Sequence, residues 1–394
     1  MLSYSNSPDP KNLRVLLRQP ALPHYRVPIF RCLAQRPGIV LRVAYHGNAS
    51  IPNVPPEGLD AEERFWQERR WPGIGPLYID RQLRQLVRDH RADVVILAWN
   101  VRQVDLFKFM RWAKKQRIGV VLWGHGYSKQ EAGWRRWLRF RAARKAHAVV
   151  TYNRQTAQEL AEAEIDRSKV FVAANALDQT ENFTARRYWS QRPDELQKKR
   201  VALGLGTGPI IGFVSRMDPM NRLDLLVKSL PLIRESCPDA QVVIVGKGDE
   251  EHAKLRAIAR EQGVEDAVHI FQSIYGTHEV GALFSMFEVF CYPSNIGLSL
   301  LHAFAFGLPV VTSDATEKQN PEIESLIDRV NGRLYPHNNL AMLAKVLVDL
   351  LTNPLQRKRL GDGALRTVEE EYTTEHMVDG LEAAVRYAAN TASS

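Results

Sequence analysis

Short apolar runs of strand length alternate with amphipathic stretches along the chain. The first series is Leu13 to Leu17, Ile39 to Tyr45, Asp93 to Trp99, Ile118 to Trp123, Ala148 to Tyr152 and Lys169 to Ala173. Hydrophobicity within these runs is continuous rather than alternating, so both sheet faces are expected under helices, and a sheet covered on both faces is parallel. The pattern then restarts with Pro209 to Ser215, Ala240 to Gly246, Ala267 to Phe271, Val289 to Tyr292 and Leu308 to Thr312. Between the two series, Asn182 to Gly208 is polar and rich in Arg, Gln and Gly, which predicts a hinge and one short helix. Two doubly wound α/β domains are expected, with both sets of strand carboxyl ends, where such folds bind ligands, along a shared cleft.

Length agrees, because 394 residues exceed one ordinary core and suit two domains of roughly 180 to 200 residues. A hydrophobic content of 45% with 25% charged residues fits a well-packed soluble protein. Cys32, Cys237 and Cys291 are sparse, odd in number and without metal-ligand spacing, which argues against a disulfide framework and for a reducing cytosol. The start of the chain lacks a basic region followed by an apolar stretch, and nowhere do about eighteen apolar residues run together. The expectation is a chain neither exported nor membrane-spanning.

Charge changes the picture more. Net charge is +9, yet residues 1–200 carry 36 Lys plus Arg against 19 Asp plus Glu, while residues 201–394 carry 17 against 25. The excess in the first half points to an anionic partner there: nucleic acid, an anionic membrane surface or an acidic acceptor.

Candidate chemistry concentrates at Tyr292 to Val311, a strand that turns through Asn295 and Gly297 into a helix closed by Gly307. First-turn N–H groups have no partner inside a helix, and aligned peptide dipoles add roughly half a positive charge, so a diphosphate is a natural ligand, with the Ser299 hydroxyl at the same place. The plainer reading is a strand-turn-helix unit that only builds a sheet.

Several stretches in the second half resemble the donor-binding domain of glycosyltransferase family 4, whose members have the GT-B fold. They are Gly212-Phe-Val-Ser-Arg-Met-Asp-Pro-Met-Asn-Arg-Leu-Asp-Leu-Leu, Val243-Ile-Val-Gly-Lys-Gly-Asp, the turn just described, Pro321-Glu-Ile, Val330-Asn-Gly-Arg-Leu-Tyr-Pro and Leu350 to Gly361, in the family's order. The first half is similar chiefly at Trp123-Gly-His-Gly and Asn175-Ala-Leu-Asp. The resemblance implies two Rossmann-like domains, an acceptor-binding one at 1–185 and a nucleotide-sugar-binding one at 186–370, with a helix at 371–394 returning to the first. It also implies transfer from a UDP- or GDP-sugar, with retention and without a bound metal. Carried onto this chain, it makes Arg216 a grip on the departing diphosphate, a role that suits a planar, permanently charged fork just past a strand end. The plainer alternative pairs Arg216 with Asp218 or Asp224. Gly246, Lys247 and Gly248 form a loop close to the nucleotide, and the backbone around Ile274 lies where relatives read the base.

The departures from the family pattern are specific. A lysine commonly follows the arginine by five positions, and here Asn221 stands there with Arg222 beside it. Two glutamates eight residues apart are replaced by Ser294 and His302. Either the site is dead or it is rebuilt with neutral groups from Ser294, Asn295, Ile296, Gly297, Leu298, Ser299 and His302; rebuilding is the reading adopted, with His302 bonding a ribose hydroxyl or a phosphate. His302 as a buried histidine satisfied by backbone is the alternative.

For the acceptor, His125 between two glycines at a strand end is a candidate to orient the sugar or the acceptor hydroxyl, with Tyr127 nearby. At the first strand, Gln19, His24 and Arg26 stand where relatives have paired glycines, and are candidate acceptor or phosphate contacts; outward polar residues at a helix start are the alternative. Asp105 and Glu131 are weaker candidates, since a departing phosphate oxygen can itself take the acceptor proton. From Phe107 to Lys145, aromatics are mixed with dense positive charge, which suits an anionic bilayer surface at about 1 kcal/mol per basic group. A solvated helix face is the alternative, and nucleic acid is disfavoured because no recognised signature accompanies the charge. The sequence therefore predicts a cytoplasmic glycosyltransferase, peripheral to the inner face of the plasma membrane, acting on a lipid-linked or other anionic saccharide in cell-surface polysaccharide biosynthesis. A non-catalytic sugar-nucleotide-binding partner and a GT-B sugar-nucleotide isomerase or hydrolase stay open.

Overall fold

A computed structural model describes residues 12–47, 51–71, 75–126 and 133–393. The chain divides into two units, residues 1–177 with 374–394 and residues 178–373. The divisions therefore fall at 177/178 and 373/374 rather than at the expected 185/186 and 370/371.

In the first unit, strands β1 (Leu13–Gln19), β2 (Ile39–His46), β3 (Ala61–Arg64), β6 (Val94–Ala98), β7 (Gly119–Gly124), β8 (Ala148–Thr151) and β9 (Val170–Val172) form one sheet in the order β3-β2-β1-β6-β7-β8-β9. Every pairing in it is parallel. Strands β4 (Gln67–Trp71) and β5 (Gly75–Ile79) make a separate antiparallel hairpin. Successive residues of a strand face opposite sides. Val15 and Leu17 accordingly enter one core with Ile29 and Phe30, and Leu16 enters another with Val95, Phe109 and Met110. The C-terminal helix Thr374–Ser393 buries Met377, Val378, Leu381, Ala384, Val385 and Ala388 in the first of these cores. Its Asp379 carboxylate accepts from Arg36 at 2.6 Å.

In the second unit, β10 (Ile210–Val214), β11 (Gln241–Val245), β12 (Val268–Phe271), β13 (Val289–Cys291), β14 (Val310–Ser313) and β15 (Gly332–Tyr335) lie in the order β12-β11-β10-β13-β14-β15, also all parallel. The chain fills one side of β10 outward, then crosses to the other, and the reversal falls between β10 and β13. The same reversal in the first unit falls between β1 and β6. Doubly wound sheets bind ligands at such a reversal, beyond the strand carboxyl ends.

The segment expected to be a hinge with one short helix holds two helices, Thr180–Ser190 and Pro193–Ala202. The first is anchored by the fully buried Trp189, whose Nε1 donates to the His278 carbonyl at 3.0 Å. A second correction concerns the basic aromatic stretch. Helix Leu106–Lys115 turns Leu106, Phe109, Met110 and Ala113 into the core, so its apolar stripe is structural. Helix Gly133–Lys145 differs, leaving Trp134 50% and Trp137 55% exposed. Among the described residues no helix is long and apolar enough to cross a membrane. Nor does any group of three or more His, Cys, Asp or Glu among them suit a metal ion.

Candidate functional site

The carboxyl end of the second sheet is built on β10. Past its end the parallel ladder continues, with Ser215 N donating to the Val245 carbonyl and Met217 N to the Lys247 carbonyl, both at 3.0 Å. Arg216 and Lys247 therefore stand side by side past the ends of β10 and β11, and both are exposed. Among the described residues neither side chain has a hydrogen bond or an ion pair. The two carboxylates that could have taken Arg216 are committed elsewhere. Asp218 accepts from Met220 N at 2.9 Å, and Asp224 accepts from Arg222 through Nε at 3.0 Å and Nη2 at 3.2 Å.

Asn221, which occupies the family's lysine position, is only 1% exposed. Its Nδ2 donates to the Arg216 carbonyl at 3.0 Å, and its Oδ1 accepts from Asn295 Nδ2 at 3.2 Å. Its carbonyl accepts from Ser294 N at 3.1 Å. In this structure Asn221 ties the Arg216 loop to the Asn295 turn and presents nothing to a ligand. Arg222 is likewise committed, to Asp224 and to the Asn338 side chain. Lys247 is thus the open cation neighbouring Arg216 in the sheet.

The turn after β13 is shaped by Asn295, held in left-handed backbone at φ 61°. Ser294 and Ile296 are buried, with Ile296 N donating to Gln319 Oε1 at 2.8 Å. Gly297, Leu298 and Ser299 are half-buried, and Ser299 begins a helix of seven residues, Ser299–Ala305. The three glycines here have different reasons. A Cβ at Gly246 would lie 1.8 Å from the Ser215 carbonyl oxygen and one at Gly248 2.8 Å from Met217 Cβ, so the protein's own packing demands both. Among the described residues a Cβ at Gly297 would meet only Asn320 Nδ2, at 3.4 Å. Tyr292, at the base of the turn, is held as a neutral phenol, its pKa pushed by burial up to about 12.

His302 Nδ1 lies 3.0 Å from Asn182 Nδ2. Asn182 Nδ2 also donates to Gln179 Oε1 at 2.7 Å, and Gln179 Nε2 donates to the Leu301 carbonyl at 3.2 Å. His302 is half-buried, with its Nδ1 against the Asn182 side chain. Ile274 is half-buried in the loop after β12, beside β11. The candidates at Ile274, Lys247, Arg216 and Gly297 follow four neighbouring strands, a row of roughly 14 Å at the usual strand spacing.

At the reversal point of the first sheet lies a cavity of about 320 Å3. Gln19, Trp99, Asn100, Arg102, Trp123, His125, Arg135, Arg139 and Tyr152 are among the residues lining it. Gln19 ends β1 and is buried, and His125 packs its ring 4.7 Å from that of Tyr152. Two sequence candidates fall elsewhere. Arg26 is buried behind the aromatic wall, donating to Tyr152 Oη at 3.1 Å and stacking over Trp123 at 4.8 Å, so it supports the cavity rather than opening into it. His24 is exposed, edge-on to Tyr25 and not among the lining residues. Tyr127 and Glu131 lie outside the described residues. Asp105 sits off the cavity, its carboxyl pKa raised by burial.

Sequence reasoning passed over Trp99, Asn100, Arg102 and Tyr152, and took Arg135 and Arg139 only as part of the basic stretch 107–145. Arg139 and Trp99 are locked together, Arg139 Nη1 donating to the Trp99 carbonyl at 3.1 Å and Trp99 Nε1 to the Arg139 carbonyl at 3.3 Å. The Trp123 Nε1–H is buried with no acceptor among the described residues. The cavity thus offers aromatic faces for a sugar ring and cations for an acidic group.

Comparison with known proteins fits this geometry. Residues 31–181 match the family described as Glycosyltransferase Family 4, and residues 208–353 match Glycosyl transferases group 1. An uncharacterized glycosyltransferase of Haemophilus influenzae is 26% identical over 305 residues, 76% of this chain and 78% of that one. The GDP-mannose-dependent alpha-(1-6)-phosphatidylinositol monomannoside mannosyltransferase of Mycolicibacterium smegmatis is 25% identical over 296 residues, 71% of this chain and 72% of that one. Among solved structures, Anabaena HepE in complex with UDP superposes with a TM-score of 0.71 at 16% identity, covering 94% of this chain and 98% of its own, a likeness of fold.

Proposed function

Since the chain belongs to the GT-B glycosyltransferases, with a Family 4 domain followed by a group 1 domain, we propose that it moves a sugar from a nucleotide-diphosphate sugar to a lipid-linked or other anionic saccharide. The reaction retains the anomeric configuration, needs no metal, and serves cell-surface polysaccharide synthesis. The observation that carries this reading is Arg216 and Lys247, two exposed cations at adjacent strand ends with no hydrogen bond or ion pair among the described residues, beside the turn at Gly297.

The donor diphosphate lies against Arg216, Lys247 and the 297–299 backbone, with its base towards Ile274. As the bond from the anomeric carbon to the phosphate oxygen breaks, its electron pair stays on that oxygen, and the two cations steady the growing charge. The acceptor oxygen bonds to the anomeric carbon on the same face and passes its proton to the departing phosphate oxygen. A carboxylate base is then unnecessary. Both bases are represented among the similar proteins: HepE is solved with UDP, and the mycobacterial relative is GDP-mannose-dependent.

The acceptor takes the first unit's cavity, where Trp99, Trp123 and Tyr152 suit a sugar ring, and Arg102, Arg135 and Arg139 suit a phosphate or carboxylate. The phosphatidylinositol monomannoside in the mycobacterial relative's name is an acceptor of that chemical type. Helix Gly133–Lys145 brings the enzyme to an anionic bilayer, at the inner face of the plasma membrane. Its exposed Trp134 and Trp137 carry Arg135 and Arg141 stacked at 5.2 and 5.1 Å. Such aromatic and basic groups suit the headgroup region.

The test is turnover of UDP-glucose and GDP-mannose with and without an extract of lipid-linked saccharides, the product anomer being assigned by NMR. Nucleoside diphosphate release that requires the extract, yields the donor's anomer and survives chelator is expected. Donor breakdown of equal rate without any acceptor would favour a hydrolase, and an inverted product or loss of turnover in chelator would refute the mechanism.

A further inference from the structure

Lys247 stands between Gly246 and Gly248, the latter at φ 155°, and glycines on both sides leave the direction of the chain there weakly set. The loop is fixed from outside instead. On one side the Lys247 carbonyl accepts from Met217 N at 3.0 Å. On the other, His252 Nε2 lies 2.9 Å from the Gly246 carbonyl oxygen, and because a carbonyl only accepts, that nitrogen carries the proton. His252 Nδ1 lies 3.4 Å from Gln272 Nε2, which also donates to Asp249 Oδ1 at 2.9 Å. His252 is 5% exposed and belongs to the helix Asp249–Glu261. Its ring therefore joins three segments: the loop after β11, the helix that follows that loop, and the residue directly after β12.

We propose that His252 is a positioning residue of the donor site: by holding the Gly246 carbonyl it sets the direction in which Lys247 leaves the end of β11, and so keeps the Lys247 ammonium beside Arg216 for the departing diphosphate. The proposal rests on the nucleotide-sugar reading. The peptide that His252 holds is the planar unit joining Gly246 to Lys247, so a rotation of that unit turns the backbone of Lys247 with it. An exposed lysine with no hydrogen bond or ion pair among the described residues takes its direction from that backbone. Burial suits the anchor, because the bond to Gly246 is then not readily exchanged for one to water. The same ring carries the restraint to Gln272, two residues before Ile274, so the loops assigned to diphosphate and base share one buried support.

The test is a double-mutant cycle on the full-length protein. UDP and GDP are titrated by calorimetry well below the melting temperature of each variant, so that lost stability alone does not enter the Kd. His252→Phe keeps a ring and removes the donor, and should raise the Kd about tenfold, the scale of one weakened contact to a charged group. In the Lys247→Ala background the same change should cost almost nothing, because the group being positioned is gone. His252→Gln, whose amide nitrogen reaches about as far as Nε2, should recover most of the parent affinity. Equal losses in the two backgrounds, parent affinity in folded His252→Phe, or a His252→Gln protein that binds no tighter than His252→Phe would overturn the proposal while leaving nucleotide binding intact. If His252→Phe does not fold, His252→Asn, whose nitrogen falls short of the Gly246 carbonyl, takes its place in the cycle with the same expected outcomes. An unaltered protein that binds neither nucleotide would remove the nucleotide-sugar reading, and the proposal with it.

Discussion

Replacing Gly297 with alanine separates a glycine kept for a ligand from one kept for the fold. Among the described residues the added methyl would meet only Asn320 Nδ2, at 3.4 Å, an ordinary contact, and the backbone at 297 is not left-handed. The unliganded protein should therefore lose nothing, and the reduced freedom of the unfolded chain favours a gain of about 0.4–1 kcal/mol. If the diphosphate packs against the 297 backbone, the same methyl overfills the complex at a cost of about 1–3 kcal/mol. That is roughly a five- to 150-fold rise in Kd. Gly246→Ala supplies the contrast, because its Cβ would fall 1.8 Å from the Ser215 carbonyl oxygen and must force β10 and β11 apart whether or not nucleotide is present. Thermal melts and calorimetric titration of UDP and GDP on the two variants are the assay. Gly297→Ala protein that binds both nucleotides as tightly as the parent would show that no ligand approaches the turn from that side.

Three further outcomes follow from the same geometry. Arg216→Ala and Lys247→Ala should each weaken nucleoside diphosphate binding by about 1.5–3 kcal/mol, roughly ten- to 150-fold, without altering the melting temperature, since neither side chain bonds another among the described residues; a falling melting temperature would assign them to the fold. Full-length protein should sediment with anionic vesicles at low salt and be released at high salt, and Trp134→Ala with Trp137→Ala should weaken that recovery; equal recovery on neutral vesicles would remove the membrane reading. Burial lowers the pKa of His147, whose Nδ1 accepts from Val120 N at 3.0 Å and cannot do so when protonated. Its folded pKa lies below the unfolded value of about 6.5, so the unfolded chain binds the extra proton, and stability present above that pH declines as pH falls through it. A melting temperature that is flat from pH 7 to 5, or a slope unchanged in His147→Gln, would contradict this.

The eleven strands expected from apolar runs are all present, because buried parallel strands such as Val94–Ala98 and Gln241–Val245 carry continuous hydrophobicity. The four that went unread are partly exposed or charged: Ala61-Glu-Glu-Arg and Gly332-Arg-Leu-Tyr lie at sheet edges, and the 67–79 hairpin stands apart from the main sheet. The turn at 292–299 was legible because Asn and Gly mark it locally. Strand order was not, since crossing from β10 to β13 is decided by packing of distant segments. For that reason the lining role of Trp99, Asn100 and Arg102 was missed, although Trp99 ends an expected strand and the other two come just after it. Asn221 shows the opposite difficulty: a family position implied a ligand contact, while burial among the carbonyl of Arg216 and the amide of Asn295 makes it a brace. Asn182 was lost to a stretch read as hinge and Gln179 stood just before it unremarked, and only the distances to Leu301 and His302 give them meaning.

The most direct test is a crystal structure of the protein with UDP or GDP bound. The account predicts the diphosphate between the Arg216 guanidinium and the Lys247 ammonium, against the 297–299 backbone at the reversal between β10 and β13. A diphosphate seated elsewhere on the chain, with Arg216 and Lys247 still turned to solvent, would contradict it.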